Sequence, residues 1–468
     1  MLLSYLNKLP TSFFVIFSSF ISFLFLFYHM KIFDSDLYIF IENFYSIFNN
    51  HAILYKDIYE PNFPFIYGLY YFPYLLSKLD IFDFFDLFLF EVLLLTFFSF
   101  YLIYLIQNRN KFVFLIIPFL LILFFGCYGQ REYFIFISFL PYIFLRIEQY
   151  INNRHFSLYF EILILVFLFF GLIIKPFYFA VYGVLELFFF LSYHKNIKIF
   201  IFNFLISTFY LSLMVIIVYF FFPSFFDNLL FMKSYASLPS LKGWISLFDL
   251  NSLKIFIDTF TLFIVVLFFI GYFLYRFTNK IIFFSFILFI LIFLFQSKFF
   301  YYHWNLLFSF SIFFFFFINK IIPHEIILIF IFNFILFLSS FAISSNNIEY
   351  NNFNKLLEFQ LPKKTFIFSP MKGKIQFVLK EKRLDFISAN SMVFFSLRKN
   401  INKKFDFNTE ISMIKYIFIL FSNDLNNHKD YFIFIENDMY NFYKDNLFKK
   451  YKIFKKYKNS DFLLLKRY

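Results

Sequence analysis

The chain has 468 residues, 62% of them hydrophobic and 29% aromatic, with a net charge of +13 and a mean hydropathy of +0.74. That is more apolar surface than one or two soluble domains can bury, so an ordinary soluble enzyme is excluded and a bilayer is the expected solvent. One cysteine, Cys127, excludes an intramolecular disulfide and a cysteine-built zinc site; anionic lipid headgroups answer the positive charge, with no need of nucleic acid.

Apolar runs of about 17 to 25 residues cross a bilayer as helices, and the chain holds about eleven. They lie near 11–29, 84–106, 112–127, 133–146, 157–174, 177–193, 199–222, 255–275, 281–296, 304–318 and 322–342. The first run, Phe13 to Tyr28, follows Lys8 and ends at His29 and Lys31 without a small-residue cleavage site, as an uncleaved signal anchor does. Between the first two spans, 30–82 forms a long loop whose apolar pieces, Leu37 to Phe48 and Pro64 to Leu79, suit helices lying in the membrane interface. A second loop, Pro223 to Lys254, carries Pro239, Gly243 and Trp244 and is a candidate cover.

With the N-terminus inside, the inward breaks are Gln107 to Lys111, Arg146 to Arg154, His194 to Lys198, Tyr275 to Lys280, and Asn319 with Lys320. Every one is basic, which is the cytoplasmic signature. An odd number of spans then puts the C-terminus outside. After Phe341 the composition changes, and short apolar runs (Thr365 to Phe368, Tyr416 to Phe421, Tyr431 to Ile435, Phe462 to Leu465) alternate with amphipathic stretches such as Asn437 to Lys449. The expected architecture is mainly α: a transmembrane helix bundle over 1–344, followed by a small extracytoplasmic α/β domain over 345–468. There is no internal repeat, Gly-rich phosphate loop or metal-spaced His pair.

The outward breaks hold the residues suited to chemistry. Asp34 and Asp36 follow the first span at the membrane surface, where a general base meets both a lipid headgroup and a soluble group; helix termination at the interface explains them equally well. Asp57 and Glu60 follow in the same loop. Gln130, Arg131 and Glu132 stand at the outer end of the third span, where Arg131 either pairs locally with Glu132 or holds a phosphate. Lys175 ends the fifth span, positioned to snorkel or to bind an anion, and Lys298, Tyr302 and His303 sit in an aromatic outward cluster. Glu91 and Glu186 fall inside spans and read as structural.

The order of these parts resembles the GT-C superfamily of integral-membrane glycosyltransferases, which move a sugar from a polyprenyl-phosphate carrier to an acceptor outside the cytoplasm. The resemblance rests on Asp34 and Asp36 after the first span, Leu54-Tyr55-Lys56-Asp57, then Glu60-Pro61-Asn62-Phe63-Pro64, and an aromatic interfacial segment. It implies that Asp36 is the catalytic base, with Asp34 or Asp57 as alternative or helper. On this reading the outward residues Glu60, Gln130, Arg131, Glu132, Lys175, Lys298, Tyr302 and His303 are expected to hold substrate and its phosphate. The expected partners are a polyprenyl-phosphate sugar, membrane lipids, and a lipid, glycan or protein acceptor, with the site on the outer face of a bacterial cytoplasmic membrane. The outer acids offer oxygen ligands to a divalent cation, but no metal site is called, since nothing in their spacing demands one. A transporter or flippase of a lipid-linked sugar, and a surface-polysaccharide polymerase or ligase, are the rival readings; a transporter would carry polar residues at the membrane midplane.

Overall fold

A computed structural model of the chain describes residues 8–29, single positions between 40 and 55, and 63–79, 84–123, 128–150, 152–176, 178–193, 197–226, 365–368, 432–437, 440–441, 448–456 and 462–468. The described residues are mainly helical, with one small sheet. The chain divides into two compact units; the helices up to residue 217 belong to the first, and the sheet belongs to the second together with Tyr55 and Phe225.

The first unit runs α1 (Thr11–His29), a 3-10 helix (Pro64–Tyr70) continuing into α2 (Tyr71–Ser77), α3 (Phe84–Ile106), a second 3-10 helix (Lys111–Leu115) continuing into α4 (Ile116–Leu123), α5 (Arg131–Tyr150), α6 (Leu158–Ile174), α7 (Tyr178–Tyr193) and, as far as Ile217, α8 (Ile197–Phe221). The segments Asp86–Ile106 and Phe200–Phe221 are long and apolar enough to cross a membrane. In α3 the residues Phe88, Val92, Thr96, Ser99, Ile103 and Ile106 are buried at helical spacing, while Phe90, Leu94, Phe98 and Tyr101 form an exposed stripe on the other side. A helix that is apolar on its exposed side as well suits a lipid surround better than water.

α5 is the centre of this unit, with every residue from Glu132 to Glu148 buried. It packs on α3 and α6. The close approach of α6 depends on Gly171, where an added Cβ would fall 1.9 Å from Ser138 Oγ, so a small residue is needed for the two backbones to meet. Pro141 interrupts α5 and has no N–H to give the carbonyl of Ile137. Ser99 Oγ of α3 donates to that carbonyl at 2.5 Å instead. A neighbouring hydroxyl thus satisfies a group that an apolar surround would leave unpaired.

One sequence expectation changes here. The break at Arg146 to Arg154 is shorter than the charge pattern predicts, because α5 continues to Tyr150 and Arg146 lies buried inside it. Its charge is met within the protein, by a carboxylate that local sequence does not reveal. Arg154, in the turn itself, pairs with Glu148 at 3.3 Å. The spans expected beyond residue 227, the loop after Phe226 and most of the Leu37 to Phe48 segment lie outside the described residues.

The sheet has the order β1-β2-β4-β3, from β1 (Thr365–Phe368), β2 (Phe432–Glu436), β3 (Tyr451–Lys456) and β4 (Phe462–Arg467). β1 is parallel to β2, and the other pairings are antiparallel. Ile433 lies opposite Leu465 and Ile435 opposite Leu463. Strand alternation puts all four on one face, and all are buried. The apolar runs at 365–368, 432–435 and 462–465 are strands, whereas β3 reads in sequence as a lysine-rich stretch.

Candidate active site at the start of α5

α6 returns antiparallel beside α5, so the end of α6 meets the beginning of α5. Lys175 follows α6 and turns its ammonium onto the Glu132 carboxylate, in the first turn of α5. The Lys175 side chain is only 12% exposed and that of Glu132 1%, so the pair is held out of water instead of snorkelling to it. Two features make a buried carboxylate tolerable at Glu132: the ammonium, and the positive end of the α5 dipole. Arg131, the first residue of α5, is half-buried beside it.

The turn that leads into α5 is shaped by Gly129, whose φ of +79° favours glycine and whose added Cβ would lie 2.8 Å from the Phe88 ring. Gln130 then caps the helix with its carbonyl, which accepts from the N–H groups of Tyr133 and Phe134 at 3.0 and 3.2 Å. Its side-chain Nε2 is buried and has no hydrogen-bond partner among the described residues. Tyr133 Oη bonds Thr96 Oγ1 at 2.7 Å. The Tyr128 hydroxyl meets no partner at hydrogen-bond geometry among the described residues. Burial pushes its pKa well up, the neighbouring Tyr133 adds to the rise, and a looser interaction with Thr96 tempers it. Tyr128 is therefore a neutral polar group at ordinary pH.

Of the residues expected to form the site, the structure thus brings Glu132 and Lys175 together and puts Gln130 and Arg131 next to them in the same turn. Asp34, Asp36, Asp57, Glu60, Lys298, Tyr302 and His303 lie outside the described residues. No group of three or more His, Cys, Asp or Glu residues that would hold a metal occurs among the described residues.

No protein-family model matches the chain, and it has no match among curated proteins or solved structures.

Further along α5 lies a second polar cluster. Glu186 Oε1 on α7 accepts from Arg146 Nε at 2.8 Å, Tyr142 Oη at 2.9 Å and Asn203 Nδ2 of α8 at 3.2 Å. The Arg146 and Glu186 side chains are 0% and 5% exposed. Arg146 also donates to Gln149 at 2.5 Å, and Gln149 passes the network on to Glu161 of α6 at 2.8 Å. Among the described residues, Glu186 Oε2 and Asn203 Oδ1 find no partner. Sequence reasoning missed this cluster because it took Arg146 as a loop charge. The signal lay in Glu186, an acid inside an apolar run, which must find a cation or leave the bilayer. Glu91 on α3 is another acid inside an apolar run; one of its oxygens is buried without a partner among the described residues.

Proposed function

We propose that the chain is a multi-pass membrane glycosyltransferase of the GT-C type, moving a sugar with inversion from a polyprenyl-phosphate donor to an acceptor outside the cytoplasm. The observation that carries this reading is the Glu132–Lys175 pair with Arg131 and Gln130 at one end of apolar helices. Cations kept from water at such an end are well suited to a phosphate, which would exchange with Glu132 for Lys175 in forming charge-assisted hydrogen bonds. In the reaction, Asp36 takes the proton from an acceptor hydroxyl and that oxygen attacks the anomeric carbon. The bond from this carbon to the phosphate oxygen breaks, and Arg131 and Lys175 stabilise the charge that grows on the leaving phosphate. Lys298 and His303, which lie outside the described residues, are proposed to add to this stabilisation.

The test is transfer of a labelled sugar from a polyprenyl phosphate by the purified protein, alongside a binding assay for the carrier. Asp36→Asn is expected to lower turnover about 10²- to 10⁴-fold with carrier binding retained, and Arg131→Ala to weaken binding as well. Loss in Asp34→Asn or Asp57→Asn instead would move the base to that neighbour. Full activity in all three variants would remove the mechanism. A reporter fused after Tyr468 is expected to be active only outside the cytoplasm; activity inside would invert the topology and take the site with it.

One observation favours the transporter reading: Arg146, Glu186, Asn203 and Tyr142 are polar groups buried deep among the helices, as transport of a lipid-linked sugar would use them. Glu186→Gln separates the two. A transferase keeps its turnover per folded molecule in this variant, whereas a transporter loses carrier movement between leaflets.

A further inference from the structure

We infer that the β3–β4 side of the sheet is a docking surface for anionic lipid headgroups. Lys449, Lys450, Lys452, Lys455, Lys456, Lys466 and Arg467 fall within the described residues 448–456 and 462–468, which contain no Asp or Glu. The register places Lys452 directly opposite Lys466. Like charges at opposed positions destabilise a strand pair, so the sheet carries a strain that an external anion relieves.

The same side carries an apolar projection. The register of β3 slips between Ile453 and Lys455, which leaves Phe454 as the extra residue of a bulge, 56% exposed. Its ring meets Phe432 edge-on at 5.2 Å, and Lys466 Nζ lies 5.5 and 5.8 Å from the two ring centres. Exposed lysines around a projecting aromatic ring match a headgroup layer, where the ammonium groups meet phosphates and the ring enters the acyl boundary.

Edge protection and nucleic-acid binding suit these residues less well. Lysines on an edge strand keep other chains from adding to the sheet, and β3 is an edge. Lys466 and Arg467, however, are on β4, which is paired on both sides. Single-stranded nucleic acid needs open ring faces for its bases, but the Phe454 ring is engaged edge-on by Phe432 and approached by Lys466.

The test uses the full chain in lipid nanodiscs, with Cys127→Ser and a polarity-sensitive fluorophore on Tyr468→Cys, an exposed position that strand alternation puts on the Lys466 face. Discs containing one-quarter phosphatidylglycerol are expected to shift the emission to the blue and to permit quenching by spin-labelled lipid; pure phosphatidylcholine discs are not. Salt at about 0.5 M should reverse the shift, since screening at that strength reaches within a few ångströms. The Lys452→Ser, Lys455→Ser, Lys466→Ser triple variant should abolish it, each lysine contributing about fivefold in partition. Phe454→Ser should keep the dependence on phosphatidylglycerol and lose most of the quenching. Equal emission in both kinds of disc, or a shift indifferent to salt, overturns the proposal even if the triple variant fails to fold. So does a triple variant that aggregates but keeps the shift, which would mark edge protection. A shift produced by an oligonucleotide in phosphatidylcholine discs would assign the surface to a different partner.

Discussion

Two of the ion pairs that α5 makes, at different levels of the helix, differ in what surrounds them. Glu132 and Lys175 join at helix ends, with the α5 dipole behind the carboxylate and the Lys175 ammonium, largely kept from water, in front. Arg146 and Glu186 join between helix interiors; a tyrosine, an asparagine and a glutamine also bind the two charges, and both side chains are almost fully buried. On the proposed function, the pair at the helix ends, or mouth, opens to exchange one partner for a phosphate. A pair locked by neighbours on α5, α7 and α8 opens only if those helices part. The chemistry is the same in both, and the setting decides whether it serves binding or cohesion.

The comparison breaks first at Arg146. Replacing it with Met leaves the Glu186 carboxylate buried without its cation, which costs about 3–5 kcal/mol of stability. Arg146→Met with Glu186→Leu should recover only part of that loss, because the two charges no longer need each other but the buried Tyr142 hydroxyl and Asn203 amide lose their acceptor. Thermal unfolding in detergent measures both, and a single variant within about 1 kcal/mol of the parent would make the inner pair dispensable. At the mouth, Lys175→Met should cost less, about 1–3 kcal/mol, since the helix dipole still favours the Glu132 charge. The order of the two losses is the point to check: a larger effect at Lys175 than at Arg146 would reverse the roles assigned above.

The same contrast explains what the sequence made legible. Apolar runs announced the helices at Thr11–His29, Phe84–Ile106, Leu158–Ile174, Tyr178–Tyr193 and Ile197–Phe221 to within about two residues, because long apolar runs in this part of the chain form helices. α5 was read short, since Arg146, Glu148 and Gln149 look like a loop until Glu186, Gln107 and Glu161 are found bonded to them. Those partners are between 12 and 41 residues away, and no local window holds both halves. The mouth was easier: Arg131, Glu132 and Lys175 stand at the ends of apolar runs, where a charge is conspicuous. That Lys175 serves Glu132 follows from the antiparallel return of α6, which is a tertiary fact. β3 was missed for a different reason. Its alternation is broken by the bulge at Phe454, and lysine fills the positions where strand residues would be expected.

The smallest effect lies between the two pairs, at Pro141. This residue gives no hydrogen to the Ile137 carbonyl, and Ser99 of α3 gives one from the side. Ser99→Ala should therefore leave a buried carbonyl without its donor, a loss of about 1–2 kcal/mol. The substitution also removes a small polar atom from a packed site, so the loss alone does not identify its cause. Pro141→Ala supplies the missing backbone N–H, and in that background Ser99→Ala should cost measurably less. If the Ser99 variant loses the same stability with alanine or proline at 141, Ser99 contributes packing and the carbonyl finds its hydrogen elsewhere. If the cost falls, the bond between α3 and α5 is fixed by the proline, at a position between Glu132 and Arg146. The break in the helix ladder would then help to hold the mouth and the inner lock on one helix in fixed relation to α3.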